Sequence, residues 1–190
     1  MQRKIINLFR TDMYVFPTDL DVVELEKYIL SIKEKSEGRK ISNLGGWQSN
    51  DLNLEDMELR PLCKNIKIHV QHYCKYLSLK GQFRLTNMWA NINNYKDSNE
   101  YHIHDDAIIS GVFYVKTSKN HGDLCFHNKD HIGLASWKPK IENYLSQNCS
   151  NFLVKPQTNS LILFPGWLAH SVKPSYNKEE NRISISFNIS

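Results

Sequence analysis

No window of this 190-residue chain approaches the ~20 consecutive apolar residues of a membrane-spanning helix. The opening stretch, Met1-Gln2-Arg3-Lys4-Ile5-Ile6-Asn7, lacks the long apolar core of a secretion signal, so neither a bilayer nor an export route is expected. Cysteine is sparse and scattered. Cys63, Cys74, Cys125 and Cys149 form no Cys-x-x-Cys pair, which argues against a zinc knuckle or a dithiol redox motif and fits buried thiols in a reducing, cytoplasmic setting. Positive charge is short as well: a formal net charge of +4, with no Lys/Arg run interleaved with aromatics, speaks against a nucleic-acid groove. Internal repeats and low-complexity tracts are missing too. The length suits one domain, 1–190, able to bury about two-thirds of its unfolded surface without covalent staples.

What is present divides in two. Residues 1–81 read as a helical support region and loop. After a strand-like lead-in through Phe9, Tyr14 and Phe16, the caps Thr18 and Asp19 precede Leu20, Val23, Leu25, Tyr28, Ile29 and Ile32 at helical spacing, and Gly38 is the expected stop. A second helix is expected from about Glu58 to Gly81, with Pro61 in its first turn and Leu62, Ile66, Val70, Tyr73 and Leu77 as its apolar stripe. His69 and His72 on it have no third ligand nearby in sequence and read as supports of the fold. Between the helices, residues 39–58, with Gly45-Gly46-Trp47-Gln48-Ser49-Asn50, form a long irregular stretch. Either it binds or covers something, or it is a surface connection whose Trp47 plugs the core.

Residues 82–190 switch to a period of two. Phe83, Leu85, Asn87, Trp89, Asn91 and Asn93 alternate with Arg84, Thr86, Met88, Ala90 and Ile92, giving a long strand with one polar-lined face. Polar side chains facing inward are costly unless they line a cavity or meet a ligand. Further strands are expected at 101–105, 108–116, 123–127, 151–154, 160–165, 169–173 and 182–189, and 128–150, with Trp137, Pro139 and Tyr144, reads as an insertion at a barrel mouth. Two helices followed by many strands is an α+β pattern in which helices brace a sandwich or barrel.

One stretch bears chemistry: Tyr101-His102-Ile103-His104-Asp105-Asp106, with His170 and Arg182 downstream. His104, Asp106 and His170 have the donors of a facial iron(II) site, two imidazoles and a carboxylate that leave three positions open. A continuing strand places His102, His104 and Asp106 on one face. Tyr95 and Tyr101 precede His104 as Tyr-x5-Tyr-x2-His-x-Asp, Tyr114 follows within Ile108–Val115, and Leu163-Phe164-Pro165-Gly166 delivers His170 twelve residues before Arg182.

The order His-x-Asp, His, then Arg-x-Ser resembles that of the iron(II)- and 2-oxoglutarate-dependent oxygenases, and the tyrosine spacing resembles their prolyl-hydroxylase-type members. Ser110-Gly111-Val112-Phe113-Tyr114, Leu163–His170 and Arg182-Ile183-Ser184-Ile185-Ser186-Phe187-Asn188 look like a little-characterised branch labelled simply 2OG-Fe(II) oxygenase, as does Gly45-Gly46-Trp47-Gln48-Ser49. The resemblance implies a double-stranded β-helix (jelly-roll or cupin-like barrel) braced by the two helices. It implies iron(II), 2-oxoglutarate as cosubstrate and O2, and a dioxygenase, a hydroxylase in the first instance. Iron would sit on His104, Asp106 and His170. His102 is the alternative ligand, because His-x-His pairs are common at this place in the branch; the usual two-histidine, one-carboxylate set favours Asp106. Arg182 and Ser184 would hold the far carboxylate of 2-oxoglutarate, with Tyr101, Tyr114, Asn91 and Asn93 supplying further hydrogen bonds. A non-oxidising cupin-like protein, binding a metal or small acid or isomerising one, is the alternative. The substrate, small molecule or peptide, is not written in the motifs.

Overall fold

The computed structural model describes residues 3–190, so Met1 and Gln2 of the opening stretch lie outside it. Its first helix, α1 (Val22–Lys33), starts later than expected: Asp21 is the cap, its carboxylate accepting from the Val23 and Glu24 N–H groups. Thr18 hydrogen-bonds Asn159 instead. Leu25 and Ile29 are the buried positions of α1. The second helix, α2 (Arg60–Tyr76), opens with Pro61 in its first turn and buries Leu62, Ile66, Val70 and Tyr73, the expected stripe. It ends at Tyr76 rather than near Gly81, as the chain turns through Ser78 at φ 56°. The His69 ring stacks on Phe16, 4.0 Å between centroids, in keeping with a supporting role.

The described residues form the strands β1 (Tyr14–Pro17), β2 (Asn43–Leu44), β3 (Trp47–Gln48), β4 (Leu85–Asn93), β5 (Ser98–His102), β6 (Ile109–Lys116), β7 (Leu124–His127), β8 (Asn151–Val154), β9 (Ser160–Pro165), β10 (His170–Val172) and β11 (Arg182–Ile189), of which β4 to β11 follow the period-two reading, β5 lying three residues earlier than expected. They form two antiparallel sheets, β1-β9-β6-β11-β4-β3 and β2-β5-β10-β7-β8. Together they make the expected double-stranded β-helix, with the helices on one side.

Alternation divides the larger sheet into two faces. Met88, Ala90 and Ile92 of β4, Ile109, Phe113 and Val115 of β6, and Ile183, Ile185, Phe187 and Ile189 of β11 join the helix residues in one apolar core. On the other face, Val112, Tyr114, Ile162 and Phe164 meet Leu124 and Phe126 of the smaller sheet in a second, smaller cluster. This second cluster does not fill the space between the sheets. A cavity of about 430 Å³ remains there, lined by the polar side chains of β4 and β11.

The stretch 39–58 is less irregular than the sequence suggests. Its two short strands join different sheets, β2 pairing with β5 and β3 with β4, so the chain crosses from sheet to sheet at Gly45-Gly46. Both glycines have φ near +70°, a left-handed conformation that costs glycine little. Trp47 is buried and its indole N–H donates to the Ser36 carbonyl at 3.0 Å, the plug anticipated from sequence. Residues 128–150 contain two short 3-10 turns, Gly133–Ser136 and Lys138–Lys140, with Trp137 and Tyr144 exposed. None of that segment lines the cavity, so the expected insertion at the mouth is not found there. Among the described residues no helix is long and apolar enough to cross a membrane.

Gly111 shows how tightly β6 and β11 are matched. A Cβ at this position would lie 2.3 Å from the Phe187 ring and 2.8 Å from the Ile162 carbonyl oxygen, and Phe187 is its register partner. Gly111→Ala is therefore expected to destabilise the fold by about 1–3 kcal/mol through overpacking. Urea denaturation checks this, and Phe187→Leu in the same chain should recover part of the loss; an unchanged midpoint in the single variant would show that the strands have slack.

Candidate metal and carboxylate site

The site is assembled where the smaller sheet faces the polar side of β4 and β11. β5 ends at His102, whose register partner on β10 is His170. The chain then leaves the strand, and His104 is held in place by its backbone: its N–H donates to the Gly166 carbonyl at 2.9 Å, and its carbonyl accepts from Ala107 at 3.2 Å. Gly166 is needed there. A Cβ on it would approach the Ala107 carbonyl oxygen to 2.1 Å and the His104 carbonyl oxygen to 2.8 Å.

His102, His104 and His170 converge, with potential donor atoms all within 4.8 Å of one another. Their tautomers suit a cation. His102 Nδ1 lies 2.7 Å from the Glu100 carbonyl oxygen and His170 Nδ1 lies 2.9 Å from that of Leu168. A carbonyl only accepts, so each Nδ1 carries the hydrogen and each Nε2 keeps a lone pair. Backbone carbonyls orient metal-binding imidazoles in this way. Burial pushes His170 down to about 3 and His104 down to about 4, with repulsion from His102 the next contribution in both cases. His104 and His170 are thus uncharged at neutral pH, and no proton competes with a cation for them.

Asp106 stays outside this group. Pairing of β5 stops at His102, and residues 105–106 form a turn, so strand alternation does not carry the Asp106 carboxylate to the histidines. Asp106 is exposed, and its nearness to His104 is felt only as a charge that opposes the lowering of that imidazole's pKa. The third member of the group whose donor atoms converge is His102, the alternative ligand in the sequence reading.

Arg182 lies on β11, 3% exposed, opposite Asn93. Its Nη1 donates to the Gly122 carbonyl and its Nη2 to Asn93 Oδ1, both at 2.8 Å, and its buried Nε–H has no partner. No carboxylate forms an ion pair with it among the described residues. Arg182 lines the cavity with this Nε–H donor unused. Ser184 and Tyr114 are also buried and line the cavity. Burial raises the Tyr114 phenol to about 12, while the Arg182 charge pulls the other way. Asn91 donates to Ser186 Oγ at 3.2 Å and leaves its Oδ1 buried and unpartnered.

Tyr101 is the exception among the expected carboxylate-side residues. It is 65% exposed and packs on His127, 4.9 Å between ring centroids, because on β5 it alternates with His102. The sequence reading passed over Ser186 and Asn188, which share the cavity face of β11 with Arg182 and Ser184; extending the same alternation four more residues would have found them. Arg39 and Gln48 also line the cavity; both lie in the stretch 39–58, for which binding or covering was one of the two readings, although neither residue was singled out.

Because both buried imidazoles have folded-state values below the ~6.5 of an exposed histidine, the unfolded chain takes up their protons first as pH falls. This contribution to stability is complete above about pH 6.5 and is lost progressively down to about pH 3–4. Urea midpoints of the metal-free protein are expected to fall through that window, and His170→Asn to flatten the decline; parallel curves for the two proteins would contradict the assignment.

Residues 87–188, more than half of the chain, match a family model described as "Putative 2OG-Fe(II) oxygenase". No curated protein matches the sequence. Among solved structures, a prolyl-4-hydroxylase from Pseudomonas putida superposes with a TM-score of 0.63 at 12% identity, covering 94% of this chain and 92% of that one. HygX from Streptomyces hygroscopicus, with nickel and 2-oxoglutarate bound, gives 0.62 at 13% identity, covering 95% of this chain and 83% of that one. The non-heme alpha-ketoglutarate-dependent epimerase SnoN from nogalamycin biosynthesis gives 0.63 at 13% identity, covering 95% and 78%. At such identities the likeness establishes the fold alone.

Proposed function

Since the chain belongs to the 2OG-Fe(II) oxygenase family, whose chemistry uses iron(II), 2-oxoglutarate and O2, we propose that it is a hydroxylase in which His102, His104 and His170 hold the metal and Arg182 anchors the cosubstrate. One observation supports this above all. Three imidazoles whose potential donor atoms converge open onto the same cavity as a buried arginine that forms no ion pair among the described residues.

The residues fit the groups the family employs. Nitrogen donors suit iron(II), and His102, His104 and His170 would hold it, leaving room for a 2-oxo acid and O2. Bound there, the metal supplies the oxidation of a C–H bond coupled to decarboxylation of 2-oxoglutarate to succinate. The chain's own part is to bind, orient and exclude water. Arg182 receives the far carboxylate of 2-oxoglutarate, and its two bonds to Gly122 and Asn93 hold the guanidinium rigid before the ligand arrives. Ser184 and the Tyr114 phenol, still protonated at neutral pH, offer further donors beside it. Phe164, whose ring lies 4.8 Å from that of His170, shields the histidines on their apolar side. A non-oxidising cupin-like binder of metal has no need of Arg182 in this form. Hydroxylation is the outcome we favour over other oxidations, with a small molecule as substrate. All four cysteines are free, which agrees with a reducing, cytoplasmic setting.

Anaerobic titration of the protein with iron(II) and 2-oxoglutarate tests the proposal through the weak visible charge-transfer band of the chelate. Wild type and Asp106→Ala are expected to develop the band, and His102→Ala to lose it. A band that survives His102→Ala and disappears in Asp106→Ala would restore the carboxylate triad, and no band at all in wild type would remove the enzymatic reading. Arg182→Lys keeps the charge but loses the planar fork, and the same titration should show 2-oxoglutarate bound about tenfold or more weaker, a loss of about 1.4 kcal/mol or more; equal affinity would mean that the cosubstrate acid lies elsewhere.

A further inference from the structure

The cavity has a second arginine, and its position differs from that of the first. Arg39 follows Gly38 and is fixed by its backbone, its N–H donating to the Gln48 carbonyl of β3 at 2.8 Å. Its side chain is therefore not required to hold the crossing stretch in place. The guanidinium carbon lies 6.0 Å from the centre of the Trp89 ring, and Trp89 lies 5.8 Å from the His104 ring. Arg182 instead meets β4 at Asn93, four residues from Trp89, which is about 13 Å along a strand. One arginine thus serves each end of the cavity.

Arg39 is incompletely satisfied within the protein. Asp51 accepts from Nη2 at 2.6 Å, but that carboxylate is half exposed, and an ion pair of this kind contributes little. The Nε–H is buried and has no acceptor. Leaving a buried donor unpaired is costly, and an incoming acceptor recovers that loss. Glu100 also lines the cavity, on the same face of β5 as His102 and exposed to solvent. The open end therefore presents one positive and one negative side chain.

From these positions, and resting on the reading of the cavity as a 2-oxoglutarate oxygenase site, we propose that Arg39 is the anchor for the substrate. The molecule to be oxidised is a small carboxylic acid whose acid group bonds Arg39 beside Trp89, within reach of the metal histidines. Glu100 disfavours a second acid group on that molecule and favours an amine, so an amino acid satisfies both charges. A guanidinium presents its donors in one plane, as a carboxylate requires, and that of Arg39 lies 6.0 Å from the centre of the Trp89 ring.

The two arginines can be read in one experiment. The wild-type protein, labelled with 15N-arginine and loaded with zinc(II), is followed by its side-chain Nε–H signals, assigned with Arg39→Lys and Arg182→Lys. Adding N-oxalylglycine, an inert analogue of 2-oxoglutarate, is expected to move the Arg182 signal; failure of that step counts against the proposed function and leaves the Arg39 measurement standing. Acetate and glycine, titrated next at millimolar concentrations, are each expected to move the Arg39 signal saturably, while acetamide leaves it in place. Should neither acid move it, or should acetamide move it equally, Arg39 is a loop staple and the substrate-anchor assignment is overturned.

Discussion

The structure depends on a division of labour between the two faces of β4 and β11. Each strand sends apolar side chains to the helices and polar ones to the opposite side, and the register pairs Asn93 with Arg182, Asn91 with Ser184 and Trp89 with Ser186. Burying the apolar face holds the sheet on α1 and α2. The polar face then cannot be closed by packing, because amides, hydroxyls and a guanidinium lose too much hydration when sealed against hydrocarbon. The space between the sheets stays open, and the smaller sheet delivers its histidines into it.

Arg182 is where this constraint is sharpest. Withdrawn from water and given only a backbone carbonyl and an amide oxygen, it is a cation awaiting an anion. The histidines follow the opposite logic. Burial and repulsion from His102 keep His104 and His170 uncharged, and carbonyls fix the hydrogen on Nδ1 in His102 and His170. A three-imidazole set brings no negative charge of its own to a metal, so charge balance at such a centre falls more heavily on the incoming 2-oxo acid.

Much of the fold was legible. Strands β4 to β11 were anticipated to within a few residues, because a half-buried strand writes its two environments into alternate positions, and Leu62, Ile66, Val70 and Tyr73 did the same for α2 at helical spacing. The polar face with Asn91 and Asn93 came out of the same alternation, whereas Arg182, Ser184 and Tyr114 were singled out by the resemblance to a known family. Where a strand ends leaves a weaker trace. Extending β5 through residue 106 put Asp106 beside His104; the turn at 105–106 puts it in solvent instead. The helix cap shifted from Thr18 to Asp21 for a comparable reason, since Thr18 had a better partner 141 residues away in Asn159.

By itself the sequence determined the family, the two-faced strands and the identity of the buried arginine, all of which are properties of local order: spacing, alternation and motif. The tertiary structure decided which third side chain joins His104 and His170, and that Arg39 shares their cavity. Both outcomes hang on contacts between segments far apart in the chain. His102 meets His170 through the pairing of β5 with β10, and Arg39 reaches Trp89 because β3 pairs with β4. Pairing partners across such separations are selected by the packing of whole sheets, and no local pattern encodes them.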